Sequence, residues 1–184
     1  LKGAKNGEKV IVKFLTWPKR VKSPFGAVVE RLGASGSMDV EMHSILAEFG
    51  FPFKFPNEVT VESEKIKEAD YKVEVKNRRD FRDVLTFTID PHDAKDFDDA
   101  LSYKELNNGN IEVGIHIADV SHYVQSNTDL DKEAYSRGNS VYLVDRVIPM
   151  LPEILSNKLC SLRPEETKLT FSAVFIMDDN GKVY

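Results

Sequence analysis

Thr88-Ile89-Asp90-Pro91-His92-Asp93-Ala94-Lys95-Asp96-Phe97-Asp98-Asp99-Ala100-Leu101 carries five aspartates in fourteen residues, and the rear half of the chain organises around it. Like charges at this density repel, and the cost rises when a fold draws them together out of water. A cation is the natural compensation. The apolar run just before, Val84-Leu85-Thr86-Phe87-Thr88-Ile89, reads as a buried strand, which places Asp90 at a rigid strand end. Asp96, Asp98 and Asp99 follow six, eight and nine positions later. That spacing lets a loop fold back towards Asp90 and form an all-oxygen site for a hard divalent cation such as magnesium.

Other readings of the same residues exist. A solvated loop is the ordinary fate of an acidic run, but apolar segments flank this one and Phe97 interrupts it. A calcium loop of the EF-hand type would need a central glycine and a glutamate where Leu101 stands. An aspartyl-nucleophile phosphotransfer enzyme would want D-x-D-x-[TV], which Asp96-Phe97-Asp98-Asp99 does not supply.

Working outward, residues 98–106 and 111–119 read as a β-hairpin around Asn108-Gly109, a pair suited to a tight primed turn. The acidic site is thus expected on a sheet, a stiff support. Thr128-Asp129-Leu130-Asp131 resembles a helix start and Arg137-Gly138 its stop. Ser140-Val141-Tyr142-Leu143-Val144 returns to strand, residues 153–159 form a short helix after Pro152, and residues 168–177 form a strand ending in the turn Asp178-Asp179-Asn180-Gly181. The return strand stops at Tyr184, so the chain is expected to end partway through a domain.

Before the acidic stretch stand Arg78, Arg79 and Arg82, expected as ion-pair partners of Asp80 and Asp83 in an interdomain seam; holding phosphates is the alternative. Residues 61–77 read as a charged, helical linker. Residues 1–60 read as a small β-barrel: Lys9 to Trp17 is one strand, Phe25 to Leu32 another, and a basic loop with Lys19, Arg20 and Lys22 joins them. Residues 43–50 form a short helix ended by Gly50.

Charge divides along the same line. Residues 1–82 hold 16 Lys and Arg against 12 acidic residues, a net +4; residues 83–184 hold 9 against 18, a net −9. A basic front and an acidic rear suit a protein that grips a polyanion with one part and loads cations in the other. Cys160 is the single cysteine, so no disulfide partner and no cysteine zinc site are expected; one thiol fits a reducing cytoplasm. No apolar run reaches the roughly 20 residues of a membrane span.

Thr88-Ile89-Asp90 with Asp96-Phe97-Asp98-Asp99-Ala100 is similar to the signature of the ribonuclease II/ribonuclease R (RNB) family of 3′-to-5′ exoribonucleases. Residues 79–82, 116–124, 137–142, 148–153 and 159–162 look like further stretches of that family, with ribonuclease R the nearer type. Trp17-Pro18 and the basic loop resemble the second cold-shock domain that precedes the nuclease domain. The resemblance implies an α+β chain: an OB-like cold-shock barrel, then, from residue 78, an incomplete mixed α/β catalytic domain. It implies that Asp90, Asp96, Asp98 and Asp99 hold Mg2+ at the scissile phosphate, with two ions about 3.5–4 Å apart. Asp93 falls outside the pattern and is expected solvated.

Further implications concern the substrate. Tyr142 matches the tyrosine that stacks on a base near the 3′ end, a contact of about 1–3 kcal/mol that tolerates any sequence. Lys19, Arg20 and Lys22 would contact single-stranded RNA, and the products would be nucleoside 5′-monophosphates. His116, His122 and Cys160 are expected to be structural. The family's nuclease domain continues past residue 184, where it supplies an arginine and a glutamate to the site, so this length alone is expected to have little nuclease activity. The alternative from another class is a non-catalytic RNA-binding module that works through the barrel.

Overall fold

The computed structural model describes residues 2–52 and 54–184, and they divide into two compact units, Leu1–Phe55 and Pro56–Tyr184. In the first unit, strands β1 (Glu8–Thr16) and β2 (Phe25–Ala34) pair antiparallel, with Val12 opposite Val28. Three register shifts interrupt the ladder, and such bulges increase the twist of a ribbon. Gly26 lies so close to β1 that a Cβ there would sit 2.4 Å from the Val12 Cγ1. Helix α1 (Met38–Glu48) buries Val40 and Leu46.

Helix α1 begins earlier than residue 43 because Glu41 closes its first turn, accepting from the Gly36 N–H at 3.0 Å and pairing with Lys9. It ends as the sequence predicts. Gly50 takes φ +74°, while Phe51 N–H bonds the Leu46 carbonyl and Gly50 N–H that of Ala47, a Schellman stop. Among the described residues this cold-shock-like unit is a two-stranded ribbon with one helix, not a closed barrel. Closure needs strands enough to bring the last back to the first, and two cannot do so. Phe14, Leu15 and Phe25 consequently stay exposed.

The second unit holds an antiparallel sheet in the order β3 (Leu85–Phe87), β4 (Asp99–Glu105), β5 (Ile111–Ala118), β8 (Thr170–Met177). The expected β4–β5 hairpin is present, but its turn is not primed: Gly109 N–H bonds the Leu106 carbonyl, and Gly109 takes φ +84° while Asn108 stays at negative φ. A turn followed by a left-handed glycine closes the ribbon instead.

Strand β3 departs from expectation. It is a three-residue edge strand and exposed throughout, and Ile89 is 82% exposed, so Asp90 does not sit at the end of a buried strand. The reason lies in which face of the sheet is covered. On β5 the buried residues are Glu112, Gly114, His116 and Ala118, while Ile115 and Ile117 face solvent. Buried polarity survives because it is paired. Arg79 bonds Glu112 at 2.5 Å, and the His116 ring nitrogens lie 2.8 Å from the hydroxyls of Ser102 and Ser172. Gly114 makes room for this cluster, since a Cβ would lie 2.4 Å from the Ser102 Oγ.

Around the sheet lie α2 (Asn57–Lys65), α3 (Tyr71–Glu74), α4 (Val120–Tyr123) and α5 (Asp129–Arg137), a β6–β7 ribbon (Val141–Tyr142 with Val147–Ile148) and a π-helical turn, Leu155–Leu159. The charged stretch read as a helical linker overlaps α2, holds α3 and is packed: α2 buries Val59, α5 buries Leu130, and Glu62 accepts from the Leu130 N–H at 3.0 Å. Thr128 caps α5 as predicted, accepting from Asp131 N–H at 3.2 Å. The strand expected over residues 140–144 shortens to two residues, and the helix over 153–159 widens into the π turn. No described helix is long and apolar enough to cross a membrane.

Candidate functional site

The acidic loop is held by its main chain. The Leu162 N–H donates to the Phe97 carbonyl at 2.8 Å, and the Ala118 N–H to that of Asp98 at 3.0 Å. The Ser161 hydroxyl accepts from the Phe97 N–H at 3.1 Å and donates to the Lys95 carbonyl at 2.9 Å. Side chains are left to face each other and solvent. Asp98 keeps an open face, yet the protein mass behind it, then the carboxylates of Asp96, Asp99 and Asp90, push its pKa up. Three of the predicted aspartates therefore act electrostatically on the fourth. Asp93 is exposed and is not among the groups acting on Asp98.

Tyr142, on β6, donates its hydroxyl to the Asp96 Oδ2 at 3.1 Å while 67% of the residue stays exposed. Neither spacing nor periodicity tied Tyr142 to the acidic loop. Its position 46 residues away makes this a tertiary contact.

Among the described residues no three His, Cys, Asp or Glu side chains stand at metal-holding distance. The loop brings the four aspartates into electrostatic range but not into a closed ligand shell. Their chemistry nonetheless fits a hard cation. All donors are oxygen, and a divalent ion would offset the mutual repulsion that, after burial, raises Asp98.

The basic loop of the first unit puts Lys19, Arg20 and Lys22 in solvent. Pro18 and Val21 close a turn around Lys19 and Arg20, and the Trp17 indole N–H bonds the Val21 carbonyl at 3.0 Å. Trp17 and Phe25, both more than half exposed, flank the charges.

The arginines form ion pairs, but inside the second unit. Arg78 binds Asp119 at 2.8 Å and Glu74 at 2.9 Å, Arg79 binds Glu112, and Arg82 binds Asp80. Arg78 and its partner Asp119 were not picked out as a pair, because the residues lie 41 positions apart. His116 is buried and its pKa is lowered, first by burial and then by Arg79, as suits a neutral structural histidine. Burial pushes the Cys160 thiol up to about 12, with Asp98 adding to it, so this residue is a poor nucleophile.

An RNB-domain model matches residues 78–184, the segment that holds the aspartates and Tyr142. The chain belongs to the RNB family. A cold-shock domain model matches residues 1–56. Among RNB proteins, ribonuclease R 1 of Lactococcus lactis is 49% identical over 86% of this chain and 19% of its own length. Ribonuclease R of Thermotoga maritima is 45% identical over 98% of the chain and 26% of its own length. The structure of Mycoplasma genitalium RNase R in complex with double-stranded RNA superposes with a TM-score of 0.89 at 26% identity, covering 100% of this chain and 33% of that one. The chain thus spans a third or less of these RNB relatives.

Proposed function

We propose that the chain is part of a hydrolytic, processive 3′-to-5′ exoribonuclease that converts single-stranded RNA to nucleoside 5′-monophosphates in the cytoplasm. What supports this most is the half-shielded Asp98, pressed by Asp96, Asp99 and Asp90, inside an RNB-matched segment with Tyr142 bonded to Asp96. Asp90, Asp96, Asp98 and Asp99 would hold magnesium, which when bound polarises a phosphate and activates a water.

The chain's own contribution is placement. Tyr142 keeps its ring in solvent while Asp96 holds its hydroxyl, which leaves the ring face free to stack on a base. Lys19, Arg20 and Lys22 would meet phosphates, with Trp17 and Phe25 offering stacking surfaces beside them. The lack of a gathered ligand trio among the described residues favours one second reading, a binding module that does not cut.

Cleavage of an end-labelled oligonucleotide by the protein in its natural reading frame separates the two. Mg2+-dependent release of monophosphates is expected from the full protein, with little or none from residues 1–184 alone. Binding without release by the full protein would reject the enzyme. Tyr142→Ala in the full protein is expected to change the length of the shortest end product, since one stacking contact of about 1–3 kcal/mol is lost there. An unchanged end product would reject the stacking role.

A further inference from the structure

We propose that Ser161 is a positioning residue for the aspartate loop and sets the affinity of that loop for a divalent cation; this rests on the metal role proposed above. Ser161 is 0% exposed, beside the π-helical turn closed by the Cys160 N–H on the Leu155 carbonyl. Its neighbours in sequence, Cys160 and Leu162, are also buried. A hydroxyl in such surroundings is costly unless its hydrogen bonds are made.

Both are made to one place. A serine has one O–H to donate and two lone pairs to accept with. Here the O–H goes to the Lys95 carbonyl and a lone pair takes the Phe97 N–H, 66 and 64 residues away in sequence. The next residue, Leu162, donates its N–H to the Phe97 carbonyl. The backbone on both sides of Asp96 is therefore pinned to residues 161–162, and Asp98 follows directly. The loop contains no regular secondary structure between residues 92 and 98 to hold it otherwise. Carboxylates that repel each other need such a clamp, because relaxation would spread them apart and raise the cost of collecting them around an ion.

Ser161→Ala leaves the Lys95 carbonyl and the Phe97 N–H without this partner in a partly buried setting, while removing no charge and no carboxylate. Losing an outer-shell hydrogen bond of this kind costs roughly 10–100-fold in metal affinity. Ser102→Ala is the matched control. Its hydroxyl is equally buried and bonds His116, not the acidic loop.

The test is Mn2+ binding by the full-length protein, followed through the electron paramagnetic resonance signal of the free ion, with amide exchange at Phe97 as a second readout. Ser161→Ala is expected to weaken Mn2+ binding about tenfold or more and to speed exchange at Phe97, with Ser102→Ala within about twofold of the parent. Should the alanine variant not fold, Ser161→Cys, close in volume and a weaker hydrogen-bonding group, is expected to fall between parent and alanine. Parent-like Mn2+ binding by a folded Ser161 variant, or an equal loss in Ser102→Ala, overturns the role of Ser161. A parent that takes up no Mn2+ overturns the metal role of the aspartates first, and the clamp with it.

Discussion

Asp98→Asn in the full-length protein is expected to cut monophosphate release on the order of 10³-fold, since a metal's contribution to transition-state charge is several kcal/mol and each 1.36 kcal/mol is tenfold in rate. Asparagine keeps the shape and one carbonyl oxygen but not the charge. Affinity for a single strand should stay within about twofold, because gripping falls to stacking and to the Lys19, Arg20 and Lys22 loop. Stability offers an independent check whose sign is opposite to that of most substitutions. Burial and the three neighbouring carboxylates raise Asp98 above its ordinary pKa. An acid whose folded pKa is raised favours the folded state when protonated and disfavours it when ionised. At neutral pH the ionised Asp98 therefore costs stability. In metal-free buffer its replacement by a neutral amide should leave the urea midpoint equal to or above the parent's, with the difference fading as pH falls through the ordinary carboxyl range. Equal losses of cleavage and of strand binding would overturn this division, and so would a lowered midpoint at pH 7.

The residues that would do chemistry were legible from sequence because they fall within ten residues of one another. Repulsion among carboxylates is a local property, and Asp90, Asp96, Asp98 and Asp99 need no long-range contact to be noticed. Caps and turns were equally visible at Thr128, Gly138 and Gly50, where one residue's hydrogen bond or left-handed φ decides the local chain path. What failed was the inference from an apolar run to burial. On β5 the apolar Ile115 and Ile117 are exposed, and the sheet buries Glu112, His116 and Ser102 instead, each satisfied by a partner distant in sequence. Hydrophobicity ranks residues one at a time and cannot see Arg79 or Ser172 waiting opposite. The same blindness hid Ser161, whose bonds reach back more than sixty residues, and turned the supposed buried strand before Asp90 into an exposed edge. It also left the packing of α2 unread, since the buried side of that helix emerges only once α5 is placed against it.

Arg78→Met is the substitution expected to cost most in folding free energy, about 3 kcal/mol at pH 7. Arg78 reaches Asp119 at 2.8 Å, with side chains 29% and 9% exposed. Removing one member of a nearly buried pair costs about 3–5 kcal/mol because the other charge is stranded, and the partial exposure of Arg78 puts the value at the low end. Asp119 is no incidental partner. It caps α4, accepting from the Ser121 hydroxyl and the His122 N–H, and its own N–H bonds the Leu169 carbonyl. Burial by itself would raise Asp119, but the Ser121 and Arg78 bonds outweigh it and hold the carboxyl below its ordinary pKa. A lowered carboxyl contributes stability that is present above the unfolded pKa and disappears as pH falls through the folded one. In Arg78→Met burial acts with less opposition, so Asp119 should protonate at a higher pH than in the parent. Once protonated it no longer needs a cation. The penalty measured by urea unfolding should therefore be largest near pH 7 and shrink at pH 4, with Arg78→Lys, which keeps the charge without the planar fork, in between. A penalty of the same size at both pH values would mean that Arg78 works by packing and its hydrogen bond to the Thr170 carbonyl, not by neutralising Asp119. Because Ala118, next to Asp119, also anchors the Asp98 carbonyl, the same variant should loosen the acidic loop: amide exchange at Ala118 should rise with that at His122, whereas a purely local defect would speed His122 alone.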